Sequence, residues 1–264
     1  MTTRLGSLNE FCWMDLKTRD LPGTAAFFAD LLGWHFAVDE EDWRRATKIS
    51  FGGGRAGGGD GRAAGEGGWG AGRDGRAAGG TGWWLGGVSD LAHPVYPPGT
   101  PAHIAYYLAV DDVDRRTGTA VANGARLVVP PFEAGDQGRL ATLVDPVGAA
   151  VSFWQPHRFG GWRLPPGSTG APHRMVLACA QPDRARDFYR EVTDTDFAHA
   201  DFTTTGAAPQ WELMVGVDGL ATVAARVRER DGGQVSWIED GGRPVLRLSG
   251  PEGLTFLVTQ LRAR

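Results

Sequence analysis

Two cysteines in 264 residues, Cys12 and Cys179, are too few for a disulfide framework or a thiolate metal cluster. Both sit in apolar strand patterns, which predicts buried free thiols. No apolar run approaches the length of a membrane-spanning helix, and the opening MTTRLGSLNEF holds no signal-like stretch, so the expected location is the cytoplasm. Neither sign of charge is in excess: 27 Lys and Arg face 31 Asp and Glu, a formal net charge of -4. That balance argues against nucleic acid or an anionic membrane recognised by bulk charge. Also missing are Gly-x-Ser-x-Gly, HExxH, GxxxxGK[ST] and a Cys/His pair, so nucleophilic, zinc-protease and phosphate-loop chemistry have no sequence support.

Tryptophan, by contrast, is abundant, with ten against four tyrosines. Core packing accounts for most indoles, and several could line an aromatic-binding cleft. A hydrophobic content of 42% supplies cores for two domains. Residues 102–154 run strand, helix and hairpin in one compact unit, and residues 211–260 repeat that order. A Gly-Pro-Glu-Gly turn, Gly250 to Gly253, stands in the repeat where the first unit has Asp145-Pro146-Val147-Gly148. Such self-similarity points to modules that must pair to bury their apolar faces.

Local signals fill in the elements. Residues 11–18 read as a strand with Cys12, Met14 and Leu16 on one face and Trp13, Asp15 and Lys17 on the other. A helix follows, capped by Asp20, opened by Pro22 and stopped by Gly33. Further strands are expected at 35–38, 48–51 and 83–88. The Gly-, Ala- and Arg-rich tract 52–82 cannot bury enough apolar surface to order itself and reads as a disordered insertion. In the next unit Ile104, Tyr106, Leu108 and Val110 face a core, with His103, Ala105, Tyr107 and Ala109 opposite. A helix over 113–122, closed by Asn123-Gly124, precedes a strand at 125–129 and the hairpin. The later half opens with a strand at 173–179 and a helix at 182–192. Residues 199–209 are too few for a full set of strands.

The segments DLPGTAAFFADLLGW, YLAVDDVD and GRLATLVDPVGAAVSFWQ together resemble the vicinal oxygen chelate superfamily, which includes glyoxalase I, extradiol dioxygenases and bleomycin-resistance proteins. The resemblance implies an α+β fold of tandem βαβββ modules, two domains each forming a curved sheet around a cleft. Domain 1 would span 1–158, a linker 159–171 and a degenerate domain 2 172–264. Enzymes of that superfamily place His or Glu ligands for a divalent metal on the concave face. The matching positions here carry Trp13, Ala105 and Ser152, with the remaining one near Trp83 to Gly86. In domain 2 they carry Arg174, Glu212 and Leu257. The expectation is no metal and no cofactor, with Glu212 ion-paired to the neighbouring Arg174.

The candidate ligand-binding set is Trp13, Asp15, Trp83, Trp84, His103, Ala105, Tyr107, Ser152 and Trp154. Asp15 could orient a ligand hydroxyl or act as a base; pairing with Lys17 or Arg139 is the structural alternative. His103 could serve as base, ligand or hydrogen-bond donor, or be structural. The favoured function is a metal-independent binding protein for an aromatic natural product, anthracycline-type polyketides first. The biological setting would be drug sequestration, self-resistance or relief of product inhibition in antibiotic biosynthesis, with a tailoring enzyme of the same pathway as partner. The alternative is a metal-dependent or metal-free cyclase, isomerase, lyase or dioxygenase, in which His103 and Asp15 would be catalytic.

Overall fold

A computed structural model describes residues 4–38, 47–52, 82–165, 167–205, 208–230, 233–240 and 243–261. The tract read as a disordered insertion lies, over residues 53–81, outside the described residues.

The chain runs β1 (Phe11–Thr18), α1 (Leu21–Leu32), β2 (His35–Val38), β3 (Thr47–Phe51), β4 (Trp83–Asp90), β5 (His103–Ala109), α2 (Val113–Ala122), β6 (Arg126–Glu133), β7 (Gly138–Val144) and β8 (Ala150–Pro156). These eight strands form one sheet in the order β2-β3-β4-β1-β5-β8-β7-β6. Each βαβββ module contributes four neighbouring strands, and β1 and β5 join the modules antiparallel. The later half runs β9 (Pro172–Cys179), α3 (Pro182–Thr193), β10 (Ala200–Thr204), β11 (Gln210–Val217), α4 (Leu220–Arg228), β12 (Gln234–Asp240), β13 (Arg243–Ser249) and β14 (Thr255–Gln260). Its sheet has six strands, β10-β9-β11-β14-β13-β12. The third module is therefore truncated, with one strand between α3 and β11 where a full module has three. The architecture is a mixed α+β fold of two curved, open sheets.

Capping explains where the helices begin and end. Asp20 accepts the Gly23 N–H at 2.9 Å and Asp112 accepts the Arg115 N–H at 2.9 Å, satisfying first-turn donors that have no intrahelical partner. Gly33 closes α1 at φ 68, a left-handed conformation that favours glycine. Strand β6 runs on to Glu133, past the stretch ending at 129 that was expected. As an edge strand it tolerates Pro130-Pro131, and its register with β7 shifts around them.

One continuous apolar core runs between the sheets. At its centre the sheets meet directly: the Phe11 and Trp211 rings lie 4.6 Å apart, and the Leu213 N–H donates to the Tyr106 hydroxyl at 3.0 Å. To either side α1 packs against α4 and α2 against α3. Both cysteines are buried and free, as expected. The expected alternation fails at one position in β1. The register against β5 shifts between Phe11 and Trp13, so Phe11, Met14 and Leu16 enter the main core while Cys12 packs with Ala109 and Trp154 on the other face. An extra residue at such a bulge turns its side chain to the opposite side. No helix among the described residues is long and apolar enough to cross a membrane.

Candidate functional site

On the face of the eight-stranded sheet turned away from the core, the described residues Trp13, Asp15, Ala105 and Tyr107 are half-buried. Cross-strand register sets one row on it, Trp13 (β1), Tyr107 (β5), Ser152 (β8) and Thr142 (β7). A second row holds Gly87 (β4), Asp15 (β1) and Ala105 (β5), and a third Ser89, Lys17 and His103. Because side chains alternate along a strand, one expected site residue per strand brings its same-face neighbours with it. Small residues flank Asp15 on both sides. A Cβ on Gly87 would stand 2.5 Å from Asp15 Oδ1, so the glycine leaves room for that oxygen.

At one end of the face the walls are aromatic. Phe159 packs edge-on against Trp13 at 4.7 Å between centroids, and lies 6.2 Å from Trp154, which is itself 6.4 Å from Tyr107. Phe159 belongs to the segment after β8, which crosses this end of the sheet. Its N–H and that of His157 donate to the Gln137 carbonyl at 3.2 and 2.9 Å, and its own carbonyl accepts the Trp154 indole N–H at 2.9 Å. Further on, the Trp162 N–H donates to the Cys12 carbonyl at 2.8 Å and its indole N–H to Leu85 at 2.7 Å. Gly161 makes that crossing possible: at φ 82, any Cβ would lie 2.5 Å from the Cys12 carbonyl oxygen. Behind the aromatic wall the Ser152 and Thr142 hydroxyls are hydrogen-bonded at 2.9 Å.

The other end is polar. Lys17 Nζ donates to Asp15 Oδ2, to Ser89 Oγ at 2.9 Å and to the Tyr96 hydroxyl at 3.1 Å, and Ser89 Oγ donates to Asp15 Oδ2 at 2.8 Å. Burial, the largest single influence, pushes the Lys17 ammonium towards neutrality, but the Asp15 carboxylate together with Tyr107 and the hydrogen bond to Tyr96 outweighs it, and the net shift is upward. The Tyr107 phenol is pushed above the ordinary phenol range, first by burial and then by the Asp15 charge, so it stays protonated. Asp15 thus pairs with Lys17 and not with Arg139, whose guanidinium bridges Glu133 and Asp114.

The remaining expected residues divide. Trp13, Asp15, Ala105, Tyr107, Ser152 and Trp154 share the face. Trp84 is half-buried on β4 in register with Ser50 of β3, whereas Trp83 packs onto the main core and not onto the Trp154 cluster. His103 is exposed at the start of β5 with Nδ1 2.9 Å from the Pro101 carbonyl oxygen, in register with Lys17. Phe159, Tyr96 and Ser89 were not singled out from the sequence. The first two lie in proline- and glycine-rich connections whose course depends on tertiary contacts. Ser89 follows from the register of β4 with β1 once that pairing is known.

The donor set does not fit a divalent metal. Indole, methyl and hydroxyl groups at Trp13, Ala105 and Ser152 replace the imidazole and carboxylate that a chelate needs. Asp15 is engaged by Lys17 and Ser89, and burial pushes the Cys12 thiol up, against the thiolate that a metal would need. Among the described residues no group of three or more His, Cys, Asp or Glu is arranged to hold an ion. On the six-stranded sheet the corresponding face is filled by its own Val176, Met214, Val245 and Leu257. Arg174 pairs there with Asp201, and Glu212 pairs with Arg247 at 2.9 Å, correcting the expected Arg174–Glu212 pair. Glu212 lies opposite Val176 on β9, and Arg247 reaches it from β13.

Paired βαβββ modules, with the second pair truncated, are the architecture of vicinal oxygen chelate proteins, and similarity to known proteins supports that superfamily for this chain. It is similar to the proposed glyoxylase CFP32 of Mycobacterium tuberculosis, 27% identical over 93% of this chain and 92% of that protein. It is also similar to the anthracycline biosynthesis protein DnrV of Streptomyces peucetius, 26% identical over 95% of this chain and 92% of that protein. The Mn(II)-bound glyoxalase from Novosphingobium aromaticivorans shares the fold with a TM-score of 0.55 at 15% identity, covering 97% of this chain and 83% of that one. No family model matches the chain.

Proposed function

We propose that the cleft of the first domain, residues 1–158, binds a hydrophobic aromatic small molecule without a metal, in the cytoplasm and within secondary metabolism. One contrast carries this reading. The concave face of the six-stranded sheet is packed with its own aliphatic side chains, while that of the eight-stranded sheet keeps Trp13, Tyr107 and Phe159 half-buried beside Asp15. Half-covered rings next to a hydrogen-bonding group suit a planar ligand held by stacking and apolar burial, worth about 25 cal/mol per Å² removed from water. The likeness to DnrV favours an anthracycline-type polyketide as that ligand, and sequestration or relief of product inhibition beside a tailoring enzyme as the role.

Titration of intrinsic tryptophan fluorescence with anthracyclines and unrelated planar aromatics tests the reading. Saturable quenching is expected, about tenfold weaker in Trp13→Leu, which loses one stacking surface. The rival reading, a cyclase, isomerase, lyase or dioxygenase, predicts a changed product after incubation. In its metal-dependent form it also predicts near-stoichiometric Fe, Ni, Mn or Zn, with activity lost to a chelator. Either result, or absence of quenching by every ligand, would replace the binding assignment.

A further inference from the structure

On the cleft face, Asp15 Oδ1 and the Tyr107 hydroxyl have no hydrogen-bond partner among the described residues. The charged and hydroxyl groups around them are engaged with one another. Asp15 Oδ2 accepts from Lys17 and Ser89, Lys17 spends its three donors on Asp15, Ser89 and Tyr96, and Ser152 bonds Thr142. Asp15 lies opposite Ala105 and Trp13 opposite Tyr107, which makes Asp15 and Tyr107 diagonal neighbours, about 7–8 Å apart for such positions. Asp15 Oδ1 leans over Gly87, 2.5 Å from where a Cβ there would stand, and across the other strand pairing Ala105 adds only a methyl group beside Asp15.

We propose that this pair is a subsite for a neutral ligand hydroxyl, which donates to Asp15 Oδ1 while the same or an adjacent ligand oxygen accepts from the Tyr107 hydroxyl. The inference rests on the binding-cleft reading above and deepens it to a substrate class: hydroxylated polycyclic aromatics, in preference to their deoxy or O-alkylated forms. Lys17 decides the charge of that ligand. Because Asp15 already has its counter-ion, the pair is neutral as a unit and offers a cation no unpaired charge, yet it still presents a charge-polarised acceptor to a hydroxyl. A methyl ether lacks the donor and brings a methyl group against the Asp15 Oδ1 acceptor. It would leave the acceptor desolvated and unpaired, the situation in which polar recognition discriminates most strongly.

Three probes built on one ring system test this by quenching or calorimetry: 2-(hydroxymethyl)anthraquinone, its methyl ether and 2-methylanthraquinone. The alcohol is expected to bind about tenfold more tightly than either analogue. Tyr107→Phe is expected to cut that preference several-fold, and Ala105→Val, which crowds the approach to Asp15 while leaving both charges of the Lys17 pair in place, to bring it near unity. Both variants keep residue types that β-strands accept, and far-UV circular dichroism checks that they fold. Affinities within twofold of one another in the unaltered protein overturn the subsite and leave the cleft standing. Failure of all three probes to bind overturns the cleft reading and the subsite together.

Discussion

Tyr189 donates its phenolic proton to Asp145 Oδ2 at 2.9 Å, tying α3 of the later half to the turn between β7 and β8 of the earlier one. The same hydroxyl accepts the Trp211 indole N–H at 2.8 Å. The other oxygen of Asp145 accepts the N–H groups of Val147, Gly148 and Ala149 at 3.0, 2.8 and 2.8 Å, so one buried carboxylate both shapes the Asp-Pro-Val-Gly turn and latches the sheets. The repeat uses its own turn in the same way. Glu252, in the Gly-Pro-Glu-Gly sequence, accepts the N–H groups of Arg19 and Asp20 at 2.8 and 3.1 Å and the Thr18 hydroxyl, at the N-terminus of α1. Each half is therefore held by a carboxylate from the last turn of the other.

Tyr189→Phe keeps the ring and removes the oxygen, leaving Asp145 Oδ2 and the Trp211 N–H buried without partners. The expected cost is about 2 kcal/mol, read as a lower urea midpoint at unchanged m-value. If the halves unfold as one unit, probes in both sheets must shift together. Two separate transitions, with only the later half affected, would show that the latch does not couple them.

Stability should also fall in acid through Asp111. Its carboxylate accepts from Arg116, and that hydrogen bond, opposed by burial and aided by the guanidinium charge, lowers it from 3.8 to about 2. Arg116 in turn reaches Asp194 and the Val192 carbonyl oxygen, so the network spans α2 and α3. A depressed folded value means that the stabilisation is complete above the unfolded value near 4 and is lost as pH falls from there to about 2. With Asp111 36% exposed, screening reduces its worth to about 1 kcal/mol. Urea midpoints between pH 5 and 2 should drop more steeply in the unaltered protein than in Asp111→Asn.

What the sequence disclosed, and what it hid, follows from the range of each interaction. Caps at Asp20 and Gly33 and the helix over Val113–Ala122 are local signals, and all were legible. The face shared by Asp15, Ala105 and Tyr107 was legible too, because strand alternation is a property of two or three neighbouring residues. Side-chain partners set by the pairing of distant strands were not. Arg174 finds Asp201 through the parallel pairing of β9 with β10, and Glu212 finds Arg247 across β14, neither of which adjacency in sequence suggests. Strict alternation also misassigned Cys12, since the bulge arises from the pairing with β5. Phe159 and Tyr96 were hidden most completely, because a linker residue becomes part of a wall only through the path the chain takes across the sheet.

The Lys17–Asp15 pair tests whether the cleft was shaped for recognition at the expense of stability. The side chains are 12% and 16% exposed, dry enough that breaking the pair from one side strands a charge. Lys17→Met should therefore cost about 3 kcal/mol, because Asp15 keeps only the Ser89 hydroxyl, and Asp15→Asn should cost a similar amount through the orphaned ammonium. Combining Lys17→Met with Asp15→Asn removes both charges, and the double variant should be more stable than the sum of the two losses by about 2 kcal/mol. Additive losses would mean that the two side chains are solvated independently and that the pair does not organise the cleft. The double variant also separates folding from recognition. It retains Trp13, Tyr107, Trp154 and Phe159, so quenching by 2-methylanthraquinone should persist while the preference for the alcohol over its methyl ether weakens. Loss of both together would assign the pair to holding the sheet in shape and not to reading the ligand.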